Sequence, residues 1–244
     1  MAMNTMVDYS RFHGQDTPAR LFRQRCREWA DRPALRRKHR GLWQSASWTE
    51  YYARARAIGL RLDALGLSRG SVVCVLAENR PEWLYVDLGA QCMGMVGNGI
   101  YPTSSPDQVL HILADSEARA LFVENQEQLE KALAIRAQCP HLRAIVVMER
   151  EGLRGFHDEQ VFFFDDFLAQ GMALAEREAA RFEAAIDAGR PEDLAILVYT
   201  SGTTGAPKGA MILNRNVVFQ LDQAPLYLDV VLGDKSLSFL PLCH

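Results

Sequence analysis

No window of the 244-residue sequence reaches the roughly 18 uninterrupted apolar residues that a membrane-spanning helix needs, so none is expected. The 17 residues at the N-terminus are polar and lack the apolar centre of a secretory leader. Cys-x-x-Cys pairs are absent. Cys26, Cys74, Cys92, Cys139 and Cys243 are odd in number and dispersed, which argues against a disulfide framework or a zinc cluster and fits a reducing compartment. The histidines His111, His141 and His157 lack metal-ligand spacing. Net charge is −3, from 27 basic and 30 acidic residues, too small a field to argue for nucleic acid as a partner. There is no internal repeat and no low-complexity tract. These absences together lead us to expect a soluble, cytoplasmic globular protein.

At 48% hydrophobic and 23% charged residues, the chain can bury a substantial core. Its one local bias is basic. Between residues 20 and 40 stand Arg20, Arg23, Arg25, Arg27, Arg32, Arg36, Arg37, Lys38 and Arg40, against Glu28 and Asp31. Such a segment suits peripheral contact with an anionic membrane, and it also reads as a solvated helix face followed by a solvated turn, the commoner fate of charge runs.

Pattern and punctuation predict a helix opening at Thr17-Pro18, a strand over 42–48, and a helix over 49–65 capped by Thr49 and closed by Gly66. A buried strand over 71–77 follows, then a helix capped by Asn79, with Pro81 in its first turn. A strand over 95–101 precedes the capping box Ser105-Pro106-Asp107-Gln108 of the next helix. Strands over 119–124 and 143–148 flank a helix over 126–139. Residues 149–167 read as looser chain, 172–188 as a helix, and Gly189-Arg190-Pro191 as punctuation before a second βα unit. The alternation predicts an α/β fold with a mostly parallel sheet and helices on both faces. An internal boundary is expected between about residues 152 and 191, dividing the chain into units 1–170 and 171–244.

The strongest chemical signal is the apolar run 194–199 followed by Thr200-Ser201-Gly202-Thr203-Thr204-Gly205-Ala206-Pro207-Lys208-Gly209. Gly202, Gly205 and Gly209 permit close backbone approach to a ligand, and successive N–H groups in such a loop form an anion nest. Ser201, Thr203 and Thr204 add hydroxyls suited to phosphate oxygens, a threonine can serve Mg²⁺, and Lys208 adds a mobile positive charge. A polar loop after a buried strand is also where α/β sheets hold ligands. The spacing is neither that of the P-loop nor a Gly-x-Gly-x-x-Gly turn, and by composition alone such loops are more often plain turns.

Taken whole, Tyr199 to Gly209 (YTSGTTGAPKG) resembles the signature loop of the AMP-forming adenylating enzymes, which include acyl-CoA synthetases, firefly luciferase and peptide-synthetase adenylation domains. Residues 78–83 (ENRPEW), 99–103 (GIYPT) and 238–244 (SFLPLCH) look like the long-chain fatty acyl-CoA synthetase branch. On their own, the first two read as cap, turn and core. The resemblance implies that Thr200, Ser201, Gly202, Thr203, Thr204, Gly205 and Lys208 hold the β- and γ-phosphates of ATP, with Thr204 serving Mg²⁺ and Lys208 acting in catalysis. It puts His244 near the acyl and carboxylate site; taken alone, a lone histidine is more often structural.

The implied reaction joins a fatty acid to ATP, giving an acyl-adenylate and pyrophosphate, and then transfers the acyl group to coenzyme A. The family's adenine-binding segment, ribose-binding aspartate, hinge and mobile C-terminal domain are not found here, so the chain is expected to be an inactive N-terminal portion whose unfinished sheet edges favour self-association. A genuinely short protein is the competing reading. Alternatives in function are an adenylating enzyme for another carboxylic acid and a catalytically inert nucleotide-binding half-domain. Asp165-Asp166 and Glu176/Glu178 read as solvated acids, and Ser201 lies outside any Gly-x-Ser-x-Gly elbow.

Overall fold

The computed structural model describes residues 12, 14–200, 206–229, 231 and 233–243. In chain order it forms α1 (Pro18–Trp29), β1 (Pro33–His39), β2 (Leu42–Ser47), α2 (Trp48–Ala64), β3 (Val72–Leu76), α3 (Pro81–Cys92), β4 (Val96–Ile100) and α4 (Pro106–Asp115). These are followed by β5 (Ala120–Val123), α5 (Gln126–Ile135), β6 (Ala144–Val147), β7 (Val161–Phe163), α6 (Phe164–Asp187), β8 (Leu194–Thr200), β9 (Lys208–Leu213) and α7 (Asn214–Gln223). Seven strands form one sheet in the order β7-β6-β5-β3-β4-β8-β9, parallel except where β9 runs antiparallel to β8. β1 and β2 form a separate antiparallel hairpin.

Strand alternation divides the core in two. Side chains two apart share a face, so Val73, Val75, Phe122 and Val146 meet α1, α2, α3 and α6, while Val72, Cys74, Leu76, Leu121 and Ile145 meet α4 and α5. Every residue of β3, β5 and β6 is buried, which is why these strands are continuous β-branched and apolar runs. The predicted α/β architecture with helices on both faces is therefore what the chain forms.

Local signals were read well at most caps. Thr17 accepts from the Arg20 N–H at the start of α1, and Ser105 and Gln108 exchange both bonds of a capping box. Two caps differ. Ser47, not Thr49, caps α2, because Glu50 stands three residues on and completes a capping box with it. Arg80 occupies the N-cap position of α3, and Asn79 is used elsewhere. The looser region contains β7, and α6 begins at Phe164, well before residue 172, with a kink at Glu178.

The basic segment is largely neutralised. Arg23 reaches Glu183 at 3.2 Å and Asp187 at 2.7 Å on α6, Arg27 reaches Glu183, and Arg20 and Arg25 pair with Asp16 and Glu28. Its second half lies on the β1–β2 hairpin rather than in a turn, and Arg37 there meets Glu82 at 3.3 Å. Arg36, Lys38 and Arg40 are exposed. Among the described residues, no helix is long and apolar enough to cross a membrane.

Candidate active site

The chain leaves β3 into α3 on one face of the sheet and leaves β4 into α4 on the other. Where consecutive connections part in this way, a crevice opens between the carboxyl ends of the two strands, the usual ligand position in open α/β sheets. Residues from three separated segments meet there. Asn79, just after β3, donates through Nδ2 to the carbonyls of Leu240 (2.7 Å) and Ser238 (3.2 Å), and its Oδ1 accepts from the Leu242 N–H at 2.9 Å. Gly99 on β4 faces Cys243 so closely that a Cβ would stand 2.4 Å from the Cys243 Cα and 3.1 Å from the Trp83 ring. Any side chain at Gly99 would push the Leu242–Cys243 turn out of the crevice. The ENRPEW, GIYPT and SFLPLC segments, far apart in the sequence, are thus parts of one rim.

An ionic cluster braces the same carboxyl edge. Arg80, only 9% exposed, pairs with Glu82 (3.0 Å), Glu149 (3.0 Å) and Glu124 (3.4 Å), drawing the ends of β5 and β6 to the start of α3. Although burial opposes ionisation of Glu82, Arg80 and Arg37 hold its carboxyl below the ordinary range. The Glu124 carboxylate also accepts the Glu78 N–H at 2.9 Å, fixing the turn after β3.

The glycine- and threonine-rich loop leaves from this rim too, because β8 runs parallel to β4. From the sequence, residues 189–191 precede a second βα unit that begins with the strand over 194–199. Instead the chain reverses directly into β9, with Thr200 opposite Lys208 and Tyr199 opposite Gly209, and α7 comes only afterwards. The β-branched run 194–200 and the residues 208–213 pair as a hairpin, and hairpin closure holds the loop's two ends together. Thr200 and Lys208 are exposed, and Lys208 forms no ion pair among the described residues. Ser201, Gly202, Thr203, Thr204, Gly205 and His244 lie outside the described residues.

Two further groups support the loop's stems. The Tyr199 hydroxyl donates to Asp115 Oδ2 at 2.6 Å, and His111 Nε2 donates to the Pro207 carbonyl at 2.8 Å. Burial, followed by the hydrogen bond to Asp115, pushes the Tyr199 phenol up from its ordinary value. A Cβ on Gly209 would meet the Tyr199 ring at 3.1 Å, so the glycine makes room for that ring beside the loop. Sequence reasoning set His111 aside for want of metal spacing. The signal that could have drawn it in is its four-residue separation from Asp115 on a predicted helix, which puts both on one face. Among the described residues no group of three or more His, Cys, Asp or Glu side chains is placed to hold a metal ion.

The sequence profile of AMP-binding enzymes matches residues 22–244. The chain belongs to the AMP-binding enzyme family. It is 33% identical over 232 residues to the human long-chain-fatty-acid–CoA ligase ACSBG1, a match that covers 93% of this chain and 31% of that protein. The chain therefore spans about a third of the length of the curated relatives it matches. Among solved structures, the anthranilate CoA ligase AuaEII in complex with anthranoyl-AMP superposes with a TM-score of 0.69 at 25% identity, covering 86% of this chain and 36% of that one. The adenylation domain of a carboxylate reductase from Mycobacterium chelonae gives 0.75 at 23% identity, with 93% and 39% covered, and shares the fold.

Proposed function

We propose that this chain is the N-terminal portion of an ATP-dependent fatty acyl-CoA synthetase. The observation that carries the reading is the strand–loop–strand at the carboxyl rim, in which the family's signature residues leave Thr200 and return at an exposed Lys208 directly opposite. A hydroxyl and an ammonium facing each other across a hairpin mouth suit the oxygens of a polyphosphate.

In the first step a carboxylate oxygen of the fatty acid attacks the α-phosphorus of ATP, the bond to the β-phosphate bridging oxygen breaks, and pyrophosphate leaves. In the second, the thiol sulfur of coenzyme A attacks the acyl carbonyl, loses its proton and expels AMP. Negative charge grows on the pyrophosphate in the first step alone, so Lys208 acts there, together with donors from Thr200, Ser201, Gly202, Thr203, Thr204 and Gly205. Thr204 is the residue assigned to hold Mg²⁺, which would neutralise phosphate charge when bound with ATP. His244 is assigned to the acyl and carboxylate side, since residues 238–243 already lie along the β3–β4 crevice.

The division into units 1–170 and 171–244, a cytoplasmic location, and peripheral contact of the basic segment over residues 20–40 with the inner membrane face belong to the same reading.

Acid-dependent ATP–pyrophosphate exchange with a ladder of fatty acids, on the full reading frame that contains this chain, tests the proposal. Exchange with one range of chain lengths is the expected result, and folded protein that exchanges with none overturns it. Lys208→Ala is expected to slow adenylation by about 10²-fold and thioester formation by far less. Equal slowing of both half-reactions removes Lys208 from the assigned role.

A further inference from the structure

The two stems of the signature loop are held by one helix. α4 is set by its own capping box and packed on the sheet through Val109, Ile112 and Leu113. It presents His111 and Asp115 one turn apart on the side toward β8 and β9. Asp115 receives the hydroxyl of Tyr199, the residue before Thr200, and His111 holds the carbonyl of Pro207, the residue before Lys208. The His111 and Tyr199 rings also meet edge to face, with centroids 6.3 Å apart. Each stem thus has its own bond to a rigid support, and the rings couple the two.

We propose that His111 and Asp115 are positioning residues that clamp the loop's two stems to α4 and so fix where Lys208 stands. The part of the inference that concerns ATP rests on the synthetase reading; the clamp itself does not. The Pro207 carbonyl is joined to the Lys208 nitrogen by one planar peptide bond, so holding that oxygen places the backbone of the next residue with little slack. Without the His111 bond, the Lys208 end of the hairpin is free to open from Thr200 while β8 stays in the sheet.

Two readouts test this in the full-length protein. The first is tryptic cleavage of the Lys208–Gly209 bond, followed by mass spectrometry under native conditions. It requires local opening of the β9 start and needs no activity. His111→Ala and Asp115→Ala are each expected to accelerate cleavage at this bond about five-fold, the loss of one net hydrogen bond, without accelerating cleavage elsewhere. His111→Gln, whose amide keeps an N–H donor at similar reach, is expected to restore much of the protection. The second is the split of kinetic constants in pyrophosphate exchange. His111→Ala is expected to lower kcat/KM for ATP about five-fold with KM for the fatty acid within two-fold of the parent.

Unchanged cleavage at Lys208 in both alanine variants overturns the clamp whether or not the parent turns over ATP. Faster cleavage in a parent that catalyses no exchange keeps the clamp and removes the synthetase reading. Faster cleavage with kcat/KM for ATP unchanged leaves His111 and Asp115 as structural supports and overturns their role in placing Lys208. General acceleration at all sites marks a misfolded variant; His111→Gln, which preserves the donor, then decides, and failure to protect Lys208–Gly209 overturns the inference.

Discussion

Asp87 is a carboxyl held against a glycine of the neighbouring strand. It sits on α3 in an apolar helix and faces Gly97 of β4, where a Cβ would come within 2.3 Å of its Oδ1. That oxygen is buried without a hydrogen-bond partner among the described residues, while Oδ2 accepts from Gln91 at 2.9 Å. Burial outweighs the Gln91 bond and raises the carboxyl from 3.8 to about 6. The sign follows from linkage. As pH rises from about 4 to about 6 the unfolded chain releases this proton and the folded chain retains it, so stability falls across that window and levels off above it. The contribution is up to about 3 kcal/mol. Asp87→Asn is therefore expected to gain stability over the parent progressively between pH 4 and 6 and to hold the gain at pH 7, as read by urea denaturation. A constant difference at all pH values would mean that Asp87 does not titrate there.

At the scale of elements, two helices cross α2 at nearly backbone distance. A Cβ on Gly89 of α3 would stand 2.5 Å from the Ala55 carbonyl, and one on Gly171 of α6 would stand 2.2 Å from that of Ala57. Both neighbours are main-chain atoms, so a methyl group is admitted only by moving a helix. Gly89→Ala and Gly171→Ala are each expected to lower stability by about 2 kcal/mol, the overpacking penalty less the gain in helix propensity. Thermal unfolding checks this, and a rise in Tm for either variant would show that α2 yields. From the sequence Gly89 falls inside the helix after Asn79 and Gly171 just before the helix over 172–188, with nothing to say what either approaches. Helix spacing and caps were legible because they depend on residues three and four apart. The β7 strand was not legible, because its three residues are a strand only by pairing with β6.

For the whole molecule, the last part of the described chain presents apolar surface to solvent: Leu237 is 79% exposed, Phe239 76% and Leu228 57%, and Met211 on the edge strand β9 is 66% exposed. An open sheet edge and exposed apolar side chains each favour pairing between copies. We expect this chain in isolation to self-associate with rising concentration in sedimentation analysis, and a monodisperse monomer at all concentrations would rule that out. The family was readable from one contiguous string, and the comparison over residues 22–244 agrees with it.

The sequence by itself determined the α/β class, the burial of the central strands, most helix boundaries and the chemical character of the loop, since each rests on composition or short-range spacing. Tertiary structure alone decided that the loop closes as a hairpin on β9, that Asn79 serves the crevice rather than a cap, and that His111 and Asp115 reach the loop's stems. Those outcomes depend on which distant segments share a rim. A parallel sheet brings the carboxyl ends of its strands to one edge whatever their separation along the chain, and no local pattern encodes which residues meet there.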